Sequence, residues 1–148
     1  MNIADIIDSI VKNDVDELIL TDRIFDNSEN VVKILTFLEG NSSVTKVDLS
    51  GHEYCDNEME KIIKLLHKNN YVQTLVLNNN EIGLNSSTAI CELLQSNNNL
   101  RELHLDHTYL SYEKNIVAEI AKSLKSHGCL RVLSMSANQI ISEKAICI

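Results

Sequence analysis

Residues 72–82 read Val72-Gln73-Thr74-Leu75-Val76-Leu77-Asn78-Asn79-Asn80-Glu81-Ile82. Leu75 and Leu77 stand two apart, the spacing of a strand that buries one face and turns Val76 to the other. Asn80 follows three residues past that strand, and Ile82 two residues later. An Asn side chain at that point can hydrogen-bond the backbone of a bend. Ile82 then brings the chain back to an apolar interior.

The same figure recurs along the chain. The segments are Val15-Asp16-Glu17-Leu18-Ile19-Leu20, Val44-Thr45-Lys46-Val47-Asp48-Leu49, Val72 to Leu77, Leu100-Arg101-Glu102-Leu103-His104-Leu105 and Leu130-Arg131-Val132-Leu133-Ser134-Met135, with starts separated by 29, 28, 28 and 30 residues. Self-similarity at one period is the mark of a repeat architecture. Asn138 with Ile140 repeats the Asn80 and Ile82 pair, whereas Arg23, His52 and Thr108 occupy the Asn position in the other units ahead of Phe25, Tyr54 and Leu110. Those three substitutions predict less regular bends. Between the strands lie apolar sets at i, i+3, i+4 and i+7, one face of a helix. They are Val31/Ile34/Leu35/Leu38, Met59/Ile62/Ile63/Leu66, Ser87/Ile90/Cys91/Leu94 and Val117/Ile120/Ala121/Leu124. Asp26 or Ser28, Asp56, Ser86 and Ser111 are the expected N-caps, and Gly40 and Gly128 stand near two helix ends.

The combined pattern, L-x-x-L-x-L-x-x-N-x-[IL], resembles that of the leucine-rich repeats over about residues 15 to 148. A unit of 28 or 29 residues with a full helix resembles their ribonuclease-inhibitor-like subclass. The resemblance implies an α/β fold: a solenoid, one segment of a horseshoe, with parallel strands on the concave face and helices on the convex face. About five repeats, starting near 15, 44, 72, 100 and 130, would form a single domain over 1–148. Residues 1–14 carry Ile3, Ile6, Ile7, Ile10 and Val11 at helical spacing and read as an N-terminal capping helix. At the other end Ser142 to Ile148 starts a fifth helix and offers no polar cap. An open solenoid end exposes apolar surface and a strand edge. The expectation is either a longer protein or a homodimer joined through that end.

Composition narrows the partners. With 13 Lys+Arg against 21 Asp+Glu the chain has a formal charge of −8. Nucleic acid and anionic membranes both require a basic face, so a protein partner is expected instead. The N-terminal stretch has acids where a secretory signal needs bases, and no apolar run approaches membrane-spanning length. Cys55, Cys91, Cys129 and Cys147 lack metal-ligand or redox spacing, so reduced thiols, a cytoplasmic location and no cofactor are expected. The Asn-Ser-Ser triplets at Asn41 and Asn85 match glycosylation acceptors and read as loops in an intracellular chain.

The residues between the buried strand positions are the candidate partner-binding surface on the concave face: Glu17, Ile19, Lys46, Asp48, Thr74, Val76, Asn78, Glu102, His104, Asp106 and Ser134. One cluster, His104, Asp106 and His107 with His52 two repeats back, has the residue types of a metal or catalytic centre. Zinc needs three or four converging ligands. Here His104 and Asp106 are about 7 Å apart by strand rise, and His107 falls in the bend. Solvent-facing polar residues account for the cluster, and the sequence predicts neither a metal site nor catalytic residues. The reading is a non-enzymatic protein–protein interaction module. The abundance of Lys, Ile and Asn without Pro adds the expectation of a bacterial effector acting in host cytosol.

Two further uses of the fold enter through the resemblance. Ran GTPase activators of this repeat type supply an Arg, for which Arg23 in the first bend is the candidate, though they carry more repeats and an acidic tail. Tropomodulin-like actin capping is the other, and flanking actin-binding helices are missing from the sequence.

Overall fold

Five short strands form because each repeat offers two large apolar residues flanking a single outward position, enough for one short stretch of pleat. The computed structural model describes residues 2–110 and 115–138. The strands are β1 (Glu17–Ile19), β2 (Lys46–Asp48), β3 (Thr74–Val76), β4 (Glu102–His104) and β5 (Val132–Ser134). They pair in parallel and in sequence order, β1-β2-β3-β4-β5. Leu18, Val47, Leu75, Leu103 and Leu133 share one register row, and the first four of them are buried. Leu20, Leu49, Leu77 and Leu105 make a second buried row one step on. The chain is an α/β leucine-rich-repeat solenoid, with its strands on the concave face and its helices on the convex face.

Helices α1 (Ile3–Val11), α2 (Ser28–Leu35), α3 (Asp56–Leu66), α4 (Leu84–Ser96) and α5 (Ile116–Ser126) run alongside. Short 3-10 turns occupy Arg23–Phe25 and Thr36–Leu38. Val31, Ile34, Leu35 and Leu38 are buried as their spacing predicts, and so are Met59, Ile62, Ile63 and Leu66. In α4 and α5 the buried stripe sits partly one residue earlier. Ser86, Ala89 and Leu93 join it in α4, and α5 buries Ile116, Ile120 and Ser123 while Val117, Ala121 and Leu124 stay half-buried. Small residues permit this shift by letting neighbouring helices approach. Ile6 and Ile10 of α1 are buried against the first repeat.

The substituted bends are less regular, as their residues predict: Glu53 after His52 and Tyr109 after Thr108 take an additional left-handed conformation that Glu81 after Asn80 does not. Gly51, Asn79, His107 and Ala137 take the left-handed conformation immediately before the Asn position in the second to fifth repeats, whereas Asp22 in the first is extended. At that position Asn80 donates from Nδ2 to the Leu49 and Leu77 carbonyls, while its Oδ1 accepts from the Tyr54 amide. His52 imitates it with a ring: Nε2 reaches the Leu20 carbonyl and Nδ1 lies 2.9 Å from Asp26 Oδ1. Thr108 donates from Oγ1 to the Leu105 carbonyl at 2.8 Å. At Arg23 alone the bend becomes a 3-10 turn. Asn138 repeats the Asn80 arrangement, donating to the Leu105 carbonyl; Ile140, Ser111, Cys147 and the fifth-helix segment Ser142 to Ile148 lie outside the described residues, as does the open C-terminal end expected of a homodimer.

A second polar ladder ties helix ends to strands. Asn41, Asn69, Asn97 and His127 are buried three residues ahead of the first apolar residue of β2, β3, β4 and β5 segments. Asn69 donates to the carbonyls of Leu38 and Asn41 and accepts from the amides of Tyr71 and Val72. Asn97 donates to the Asn69 carbonyl, and His127 Nε2 to the Asn97 carbonyl at 2.7 Å, with Nδ1 accepting from Leu130. Asn41 therefore lies in a loop, as expected, but as a buried bridge, whereas Asn85 lies within α4.

The helix caps also differ from expectation. Asn27 caps α2, Cys55 precedes α3, Gly83 precedes α4 and Asn115 precedes α5. Asp56 instead serves the next helix: its carboxylate accepts from the amides of Gly83 (3.0 Å), Asn85 (3.0 Å) and Ser86 (2.8 Å) and from the Ser86 hydroxyl. Burial alone would raise its pKa, but these hydrogen bonds outweigh it and hold Asp56 below its ordinary value. The Ser28 hydroxyl, with Cys55, does the same for Glu58. A carboxylate with a lowered folded-state pKa contributes stability above the ordinary carboxylate range and loses it as pH falls through the folded value. Unfolding free energy is thus expected to decline below about pH 4. Urea titrations followed by circular dichroism across pH 2 to 7 check this, and Asp56→Asn should flatten the decline.

Candidate functional site

The concave face consists of three columns, one residue from each strand or strand exit. The first is Glu17, Lys46, Thr74, Glu102 and Val132, and the second is Ile19, Asp48, Val76, His104 and Ser134, each set in register. The third, one step past the strands, is Thr21, Ser50, Asn78, Asp106 and Ser136. Parallel pairing thus brings together all eleven residues singled out in the sequence on one surface. None of them is buried.

Contacts within the face set its charge pattern. Lys46 Nζ lies 3.2 Å from Glu17 Oε2, and His104 Nε2 lies 3.3 Å from Glu102 Oε2. Asp48 accepts from the amide and hydroxyl of Ser50. Asp106 accepts from the Ser134 hydroxyl and the Ser136 amide, and the Ser134 hydroxyl above all holds its pKa below the usual range. Asn78 Oδ1 in turn accepts from the Asp106 amide at 2.8 Å. These bonds fix the carboxylates in place, so the face presents a preorganised acidic surface. Val76 sits at its centre, with Ile19 at one end 48% exposed and Val132 at the other 40% exposed.

The histidine cluster does not assemble. The His52 ring is buried in its bend, stacked on Tyr54 with centroids 4.9 Å apart. His107 lies in the turn with a left-handed backbone, beside the bend residues Asn79, Glu81 and Tyr109. Among the described residues no three His, Cys, Asp or Glu side chains are placed to hold a metal ion. Arg23 is exposed at the start of its 3-10 turn. Among the described residues, no helix is long and apolar enough to cross a membrane.

Two sets of residues went unread in the sequence: the ladder of Asn41, Asn69, Asn97 and His127, and the cross-repeat carboxylate Asp56. The ladder had a signal, because Asn-x-x-[Val/Leu] opens the second, third and fourth strand segments and His-x-x-Leu the fifth. Asp56 had none, since its partners lie 27 to 30 residues away.

No family model matches the sequence, and neither does any curated protein. Solved structures do. The fold is similar to that of leiomodin-1 actin-binding site 2, with a TM-score of 0.81 and 25% sequence identity over 91% of this chain and 79% of that one. It is also similar to the C-terminal domain of Caenorhabditis elegans tropomodulin, with a TM-score of 0.77 over 98% of this chain and 86% of that one. Identity to the second is 13%, so that likeness concerns the fold alone.

Proposed function

We propose that this chain is a non-enzymatic protein-binding module whose concave strand face holds its partner, and that actin is the partner. The observation that carries the reading is the shared fold with leiomodin-1 actin-binding site 2 over nine-tenths of the chain. Actin capping, set aside on the sequence for want of flanking helices, thereby becomes the first use of the fold to test. The ribonuclease-inhibitor-like repeat length belongs to the same reading. Face geometry supports it: in-register columns of mostly polar residues around Val76 offer contact area and fixed hydrogen-bonding groups in place of converging reactive groups.

Co-sedimentation with filamentous actin, and anisotropy with labelled actin monomer, test the proposal. Binding to one form is expected, and Asp48→Lys combined with His104→Glu should weaken it at least about tenfold by reversing the charge at Asp48 and adding a carboxylate at His104, on either side of Val76. If neither actin form binds, actin is not the partner. If the double variant binds as well as the unmodified chain, the concave face is not the surface.

A further inference from the structure

Helix α1 buries one face and leaves a second apolar stripe partly exposed. Ile6 and Ile10 are 3% and 1% exposed, Ile3 and Ile7 on the next stripe are partly buried against the same core, and Val11 at its end is 61% exposed. Together with Ile24 of the first bend, itself 44% exposed, they line an open groove of about 590 Å³ that also touches Asp8 and Lys33. None of the concave-face residues lines it. This is a different surface from the one proposed above.

Charge identifies what fits there. Residues 1–30 hold eight acids against two bases, so six of the eight net negative charges sit in the first fifth of the sequence. Asp5 and Asp8 are exposed on α1, Asp8 being paired with Lys12 at 2.5 Å, and Asp22 and Asp26 are exposed on either side of the turn that carries Ile24, Asp26 with one oxygen on His52. We propose that this groove binds an amphipathic helix of a protein partner, apolar on one side and basic along its flanks. From Ile3 to Val11 the stripe runs about 12 Å, the length over which anchors at i, i+3 or i+4 and i+7 of a partner helix are spaced. The acids meet the basic flanks, and Lys33 meets an acid of the helix or its C-terminal end. A second copy of this chain would bring the same acids against each other, and an anionic membrane would be repelled.

A fluorescein-labelled Leu/Lys peptide of about four turns, with Leu at i, i+3, i+4 and i+7, is the probe, titrated against the full chain by anisotropy. Its Leu/Glu counterpart keeps the apolar face and is expected to bind at least about tenfold more weakly. Val11→Asn with Ile24→Asn should also weaken the Leu/Lys peptide about tenfold by removing apolar contact. Asp8→Lys with Asp22→Lys should weaken it about fivefold and reduce its salt dependence. Amide chemical shifts of the unmodified chain should move at residues 3–11 and 24, which needs no variant to fold. The concave-face variant should bind the peptide normally, so failure of the actin reading leaves this result standing. Equal affinity for both peptides overturns the proposal, as does full affinity in the Val11/Ile24 variant. It is likewise overturned by shifts elsewhere, binding to phosphatidylserine vesicles, or a dimer that those substitutions dissociate.

Discussion

Asn69→Ala is expected to lower the unfolding free energy by about 3 kcal/mol, because a buried polar partner that loses its hydrogen bonds carries its full desolvation penalty. The Asn69 amide joins two carbonyls of the preceding repeat, Leu38 and Asn41, to two amides at the start of its own β3 segment, Tyr71 and Val72. Asn69 is 1% exposed, so no water replaces the lost side chain without reopening the repeat interface. Urea denaturation measures the loss, and Asn69→His supplies the comparison. His127 performs the same joining task two repeats later, through Nε2 and Nδ1. Asn69→His should therefore retain more stability than Asn69→Ala. Equal losses would mean that side-chain volume, not hydrogen bonding, is what the ladder contributes.

Asp56→Ala should cost about 2 kcal/mol, the scale of hydrogen bonds to a charged acceptor, reduced because the carboxylate is partly in water. Without it the Asn85 and Ser86 amides at the start of α4 lose their acceptor, and the Gly83 amide at the N-cap keeps only the Ser86 hydroxyl. Gly83→Ala reaches the same interaction from the other side. A Cβ at Gly83 would stand 2.7 Å from Asp56 Cγ and 2.8 Å from its Oδ2, so the carboxylate has to move off the helix end. Both single variants and the double variant, compared by thermal and urea unfolding, should show strong non-additivity, since each removes the other's reason to matter. Simple addition of the two losses would show that Asp56 is not capping α4.

The strand rows were legible in the sequence because burial on one face of a strand has a period of two and the repeat multiplies that signal five times. Glu17, Lys46, Thr74 and Glu102 fall in one column on the repeat alignment alone, and the register agrees. Helix faces were less legible where small residues occur. Ser86, Ala89 and Ser123 are buried, yet they carry little hydrophobic weight in a periodicity count. Cross-repeat hydrogen bonds were the least legible, because the Asp56 carboxylate and its amide partners come from different repeats. Partner identity was out of reach for another reason: the concave columns bear no packing constraint, so their residues follow what they touch and not how the chain folds.

The Asn ladder also has a direction. Asn41 donates back to Ile10, Asn69 to Leu38 and Asn41, Asn97 to Asn69, and His127 to Asn97. In every step the later unit supplies the donor and the earlier unit the acceptor. A ribosome delivers the earlier unit first. Each newly emerged repeat thus finds its carbonyl acceptors already in place, and the chain can be completed in the order of its synthesis, like masonry laid course upon finished course.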